Sequence, residues 1–190
     1  MAYIQLNNGL PGITGLLENR IDTAAPIREL TQILLRGENT LTEMERELVA
    51  TIVSYKNQCR FCTNAHAATV VALGGSKELL DKVYHDLENA PLSEKMKSLL
   101  VIGSKVQETG KAVLPEHIAR AKNAGATDKE IHDTVLIAAL FCLYNRYVDG
   151  LGTFSPEDPA YYQKLAARLV TTGYDRPKDP LARKGEESFK

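Results

Sequence analysis

Laid over itself at a shift of 51 residues, this 190-residue chain repeats its own punctuation: "LTE" at Leu41 falls on "LSE" at Leu92, His66 on His117, and Gly74 on Gly125. "HAATVVALGGSKE" thus covers "HIARAKNAGATDKE", with one residue inserted near the end. A unit repeated twice is too short an array for a solenoid, so each copy must bury its apolar face against the other in a single bundle. Within each copy the periodicity is helical. In "TLTEMERELVATIVS", Leu41, Met44, Leu48 and Ile52 recur at three- and four-residue spacing behind Thr40 or Thr42 as N-cap. Strand-like alternation is nowhere sustained.

The expected fold class is therefore all-α, a helical bundle with an internal duplication. An N-terminal arm containing "LPGITGLL" leads into a first helix over 25–36 that stops at Gly37. Asn57 is expected to cap a fresh helix that carries two cysteines and ends at Gly74 and Gly75. Further helices are expected over 76–86, 93–108, 115–123 and 127–149, with a last one in "DPAYYQKLAARLVTTG". A single domain then spans 1–174, and the charged segment 175–190 reads as a polar tail or oligomerisation arm.

Composition narrows the function. With 23 basic and 24 acidic residues mixed along the chain, the net charge of -1 offers no footprint for nucleic acid or an anionic membrane. The longest apolar run, "VLIAALFCLY" over 135–144, is about half of what a bilayer span needs and reads as a buried helix. No secretory leader is evident at Met1, so a cytoplasmic setting is expected. Three cysteines make no disulfide scaffold, and a reducing compartment keeps them as thiols unless chemistry oxidises them.

The chemistry concentrates in "SYKNQCRFCTNAH", residues 54–66. On a helix, Cys59, Cys62 and His66 stand at i, i+3 and i+7, within about 60° of arc on one face. Two thiols so spaced can close a disulfide, and a helix N-terminus stabilises a thiolate. His66, one turn after Cys62, can take its proton, and Glu47 can join and orient His66 if the chain breaks near Asn57. The helix N-terminus favours Cys59 as the attacking sulfur, whereas the spacing to His66 favours Cys62; residue chemistry alone leaves both open. As zinc ligands the same residues would spread along about 10 Å of helix axis, too far to hold one ion, so no metal is expected. The shift of 51 places Glu47, Cys59 and Cys62 on Ser98, Gly110 and Val113, so the chemistry occupies one copy of the repeat.

Glu47 followed by Ser54 and by Cys59-Arg60-Phe61-Cys62-Thr63-Asn64-Ala65-His66 resembles the signature of the AhpD-like alkylhydroperoxidases of the carboxymuconolactone decarboxylase superfamily, in particular its peroxidase-related branch. The similarity runs from "LPGITGLL" to "YNRYVDGLG" and includes the duplication. It implies an AhpD-like bundle and a thiol-dependent peroxidase that reduces hydroperoxides. Cys62 is then the attacking thiol, Cys59 the resolving thiol, and His66 and Glu47 the proton relay. Relatives often carry a histidine directly before the second cysteine, where this chain has Phe61, so a relay through two histidines is not available. The resemblance further implies a homo-oligomer, a trimer or a hexamer, with the "LPGITGLL" arm and the tail as contact elements. With no flavin or nicotinamide fingerprint, no cofactor is expected and an external thiol or dithiol must reduce the pair. A disulfide reductase or a non-enzymatic redox sensor would use the same dithiol; lactone-processing relatives generally lack the CxxC.

Elsewhere His85, His117 and His132 read as surface residues, Cys142 as core, and Arg146 with Asp149 as an i,i+3 ion pair or helix-end cap. Asn145 or Arg146 could line the pocket, with no catalytic role assigned. Tyr55 and Phe61 are candidates to wall the site against water.

Overall fold

The computed structural model describes residues 2–176. Among them the chain forms nine α-helices: α1 (Gly12–Asn19), α2 (Ile21–Arg36), α3 (Glu43–Lys56), α4 (Arg60–Ala72), α5 (Lys77–His85), α6 (Glu94–Glu108), α7 (Pro115–Asn123), α8 (Asp128–Gly150) and α9 (Pro159–Thr172). Short 3-10 turns follow α5 and α6, at Leu87–Asn89 and Gly110–Ala112. Residues 177–190, most of the expected tail, lie outside the described residues. Among the described residues no helix is long and apolar enough to cross a membrane.

The duplication is physical. The unit α3, α4, α5 recurs as α6, α7 and the start of α8. Thr42 and Ser93 cap the first helix of each copy and Ser76 and Thr127 the third, each side chain accepting from the backbone N–H three residues on. Gly74 and Gly125 end the second helices at φ +96° and +89°, a left-handed backbone that glycine adopts without a steric cost. The residues after them, Gly75 and Ala126, return their N–H groups to Val70 and Ala121. Because both pairs of caps are 51 residues apart, the register holds throughout. The single inserted residue suggested by sequence matching is not needed, since the two Lys-Glu pairs that it aligned occupy different helical positions.

Helices α3, α6 and α8 pack on one another, and Leu48, Val49, Ile52, Leu99, Leu100, Ile102, Ile137 and Phe141 fill the space between them. A second, smaller apolar cluster joins α1, the start of α4, the end of α8 and α9: Leu16, Cys59, Phe61, Cys62, Ala65, Val148 and Tyr162. The cysteines therefore lie beside the main core, in a pocket that flanking helices close.

Three sequence expectations are corrected. The segment "LPGITGLL" is not a free arm: residues 12–19 are helical, with Leu16 and Leu17 buried in the subunit itself. Its Pro-Gly pair reads as a helix breaker but starts the helix. Gly12 at φ +54° lies so close to the Phe61 ring that an added Cβ would stand 2.3 Å from it. Helix α2 begins four residues before the expected start, since Pro26 removes one backbone donor and the helix continues through it. Finally, Asn57 is not an N-cap but the C-cap of α3, and Cys59 caps α4 without a side-chain hydrogen bond.

The break between α3 and α4 turns on Gln58, at φ +59°, in the position where helices commonly place glycine. Its neighbour Cys59 returns its N–H to the Ser54 carbonyl at 3.1 Å, fastening the turn. Gln58→Gly removes the left-handed strain and adds chain entropy to the unfolded state, so it is expected to leave stability unchanged or raise it by up to about 1 kcal/mol. Gln58→Val is expected to cost about 1–2 kcal/mol. Urea unfolding midpoints of the two variants check the pair.

Candidate active site

Cys59 at the N-cap and Cys62 in the first turn of α4 both stand at the positive end of that helix. They are thiols, 0% and 3% exposed. The hydrogen bond with Cys59, burial and the nearby Asp149 charge push the Cys62 thiol well above its ordinary value, while a hydrogen bond from Asn145 pulls the other way. Cys62 therefore rests as a thiol.

A cavity of about 80 Å³ lies against it. Phe61, Cys62, Ala65 and His66 form its α4 wall, and Phe141 and Tyr144 its α8 wall; α1, α2, α9, Tyr174 and Arg176 complete it. Cys59 is not part of the lining. The structure thus brings Cys62 and His66 to one cavity and keeps Cys59 behind them. Phe61 walls the site as expected. Tyr55 does not: its ring stacks on Tyr84 at 4.1 Å, outside the cavity lining.

His66 is fixed from behind. Its Nδ1 lies 2.6 Å from Glu47 Oε2, and the other Glu47 oxygen accepts from Arg36 Nη2 at 2.7 Å and from the Tyr174 hydroxyl at 2.6 Å. Glu47 is 0% exposed. Burial alone would raise its carboxyl, but His66, Arg36 and the Tyr174 hydroxyl outweigh burial and hold it below the ordinary carboxylate value. The ionised carboxylate holds the proton of the imidazole on Nδ1, which leaves Nε2 as the basic nitrogen. Phe141 meets the His66 ring edge to face at 4.5 Å, and the Tyr174 ring lies parallel to it at 6.2 Å. Burial and the Glu47 charge push the Tyr174 phenol well up, so it stays protonated as a donor.

Neither Arg36 nor Tyr174 was singled out by the sequence. Arg36 reads as an ordinary basic residue in the last turn of a helix, and Tyr174 follows the last helix with no spacing to connect it to Glu47. Asn145 has a larger part than its sequence suggested. It is buried, donates to Ser54 Oγ at 3.1 Å, and accepts from Asn57 Nδ2 at 2.8 Å; Asn57 in turn accepts from Gln107 at 2.9 Å. The expected Arg146 and Asp149 pair is not among the ion pairs of the described residues, and Arg146 donates to the Cys142 carbonyl at 3.1 Å.

The other candidates lie away from the cavity. Cys142 is half-buried rather than core, 3.6 Å from Asn57 Nδ2. His117 is half-buried and accepts from the Leu114 N–H at 3.0 Å, closing the first turn of α7. His85 is exposed and 2.9 Å from the Tyr55 hydroxyl, and His132 is exposed beside Asp133.

A duplicated all-α bundle defines a fold class, and the comparisons place the chain in one family of it. The model of the carboxymuconolactone decarboxylase family matches twice in tandem, over residues 22–87 and 78–154, one match for each copy of the repeat. The chain belongs to that family. Two solved structures share the fold. One is an uncharacterised peroxidase-related protein from Silicibacter sp. TM1040, with a TM-score of 0.72 and 23% identity over 80% of this chain and 78% of that one. The other is an uncharacterised peroxidase-related protein with an alkylhydroperoxidase AhpD core from Ralstonia eutropha JMP134, with a TM-score of 0.72 and 23% identity over 83% of this chain and 81% of that one. No curated protein matches the chain.

Glu47→Ala takes the shared carboxylate from Arg36, His66 and Tyr174 and leaves Arg36 with the more distant Glu43 at 3.5 Å, so it is expected to cost about 3 kcal/mol in urea unfolding at neutral pH. The folded carboxyl is depressed, so its contribution is full above the unfolded carboxyl value and fades as pH falls through the folded one. The gap between wild type and Glu47→Ala should therefore narrow on acidification; a gap that stays constant would mean that the charge contributes nothing.

Proposed function

We propose that this protein is a thiol-dependent peroxidase, reducing hydroperoxides through a Cys59–Cys62 dithiol cycle. The observation that carries the reading is the shared cavity wall: Cys62 and His66 line one cavity, while Cys59 is not part of its lining. His66 takes the Cys62 proton through Nε2, directly or through a water, as Glu47 holds the imidazolium that results. The Cys62 thiolate attacks the outer peroxide oxygen, the O–O bond breaks, and the departing alkoxide takes the proton from His66 and leaves as the alcohol. Cys62 is then a sulfenic acid. Cys59 condenses with it to form the disulfide and release water. An external thiol or dithiol reduces the pair, in the cytoplasm on this reading.

Phe61 stands where a second histidine would, which leaves Glu47, His66 and Tyr174 as the proton-handling group. The cavity's size favours a small hydroperoxide over a protein disulfide as the substrate that meets Cys62, since a thiol 3% exposed is closed to a macromolecule. Homo-oligomerisation to a trimer or hexamer belongs to the same proposal. With Leu16 and Leu17 buried within the subunit, the apolar side chains left to make such contacts include exposed Leu10, Ile33, Leu143 and Phe154. Light scattering of the purified protein tests the assembly.

Intact mass and stopped-flow kinetics of the reduced protein with hydrogen peroxide and cumene hydroperoxide test the cycle. Wild type should lose two hydrogens, Cys59→Ser should hold a trappable sulfenic acid, and Cys62→Ser should not react. A wild-type rate no greater than that of a free thiol would end the peroxidase reading.

A further inference from the structure

The cavity that Cys62 lines carries charge that the steps at its thiol do not use. Three arginines contribute to the lining, and they come from three parts of the chain: Arg28 from α2, Arg168 from α9 and Arg176 from the segment after α9. Among the described residues no aspartate or glutamate is part of that lining. Arg168 stands on the same face of α9 as Leu165 and Leu169, at i, i+3 and i+4, so the stripe that this helix turns to the cavity includes a cation. The hydroxyls of Thr31 and Tyr144, also in the wall, bond to each other at 2.5 Å. Arg36, the arginine that serves His66, meets Glu47 behind the imidazole and is not part of the lining.

Two of the three guanidinium groups stand together. Arg28 Nη2 lies 2.5 Å and Arg176 Nε 3.6 Å from the same oxygen, Oε1 of Glu18 on α1. A carboxylate is thus already gripped from both sides next to the cavity. All three arginines are engaged within the subunit. Such engagement does not exhaust them, because a guanidinium has five N–H donors in a planar fork and a carboxylate takes two.

We propose, on the reading that Cys62 reduces hydroperoxides, that the preferred substrate is a short organic hydroperoxide bearing a carboxylate, with its peroxide at Cys62 and its carboxylate on the arginines. A neutral hydroperoxide needs from its site only apolar walls and the thiol, and guanidinium groups from three parts of the chain exceed that need. Their planar forks match a carboxylate in shape as well as charge. A cavity of about 80 Å³ encloses only a few heavy atoms, so a few carbons separate the two ends of the molecule. Anchoring one end then fixes which end meets the sulfur. The carboxylate stays ionised and outside the redox step: the peroxide is reduced to the hydroxy acid as Cys62 is oxidised to the sulfenic acid.

The test sets γ-hydroperoxyisocaproate beside its primary amide, which has the same shape without the charge. Stopped flow gives the second-order rate at which each oxidises the reduced protein, divided by its rate with free cysteine. Wild type should favour the acid by about 10-fold or more, and the preference should shrink as salt is raised. The double variant Arg168→Gln, Arg176→Gln, which leaves the Arg28–Glu18 pair in place, should lose most of the preference. Damage to the fold alone would slow both peroxides and keep their ratio. In a second arm, isocaproate and isocaproamide, neither of which holds a peroxide, are titrated into reduced wild type by NMR, and the acid should bind at least ~10-fold more tightly. An acid-to-amide ratio near one in wild type, or a wild-type ratio in the double variant, would overturn the proposal. If neither peroxide oxidises Cys62 faster than free cysteine, the peroxidase reading falls, and the titration still decides by the same ratio whether the arginines select a carboxylate.

Discussion

Taking a carboxylate fully out of water costs several kcal/mol unless every lone pair finds a donor, and Glu47 is such a carboxylate. Its three partners come from three places: Arg36 from the end of α2, His66 from the middle of α4, and Tyr174 from the segment after α9. Meeting that one requirement ties four parts of the chain together around α3. It also sets the chemistry. With Oε2 on Nδ1 of His66, the imidazole is held in one orientation and one tautomer, and its basic nitrogen belongs to the cavity that Cys62 lines. The Arg36 guanidinium, 5.0 Å over the Tyr174 ring, secures the tyrosine in turn. A charge that would be a liability in the core becomes the means of fixing an imidazole.

The duplication explains how α8 comes to line the cavity. Both copies share caps, glycine turns and helix order, yet their third helices differ in length: α5 has 9 residues and α8 has 23. The extra turns of α8 carry Phe141, Tyr144, Asn145, Val148 and Asp149 across to the first copy. The second copy thus contributes little chemistry of its own and instead completes the site of its twin. At the positions equivalent to Cys59 and Cys62, Gly110 and Val113 border an open groove beside Cys142. Scaffold symmetry is kept while contents diverge, as packing demands the first and function only the second.

Much of this was legible beforehand because it rests on local rules. Thr42, Ser76, Ser93 and Thr127 announce helix starts through side-chain capping, and the apolar stripe of α3 announces its buried face. The CxxC and His66 were visible because one helix sets their spacing. What sequence hid depends on contacts across long separations. Tyr174 reaches Glu47 over 127 residues, and Asn57 reaches Asn145 over 88. Arg146 was matched with the nearest opposite charge in sequence, Asp149, when the fold turns it to the Cys142 carbonyl. Asn57 was misread for a different reason: its residue type suits a cap, but Gln58 accepts the left-handed turn and moves the helix start to Cys59.

The central claim is that Glu47 and His66 form the base for Cys62, and the pH profile of single-turnover oxidation by cumene hydroperoxide measures it most directly, with His66→Gln set beside wild type. Wild type should hold its rate through neutral pH, whereas His66→Gln should fall by about 10²-fold there and recover only toward the high value to which burial drives the bare thiol. Superimposable profiles would show that Cys62 loses its proton without His66, and the account of the site built on the buried Glu47 would be wrong.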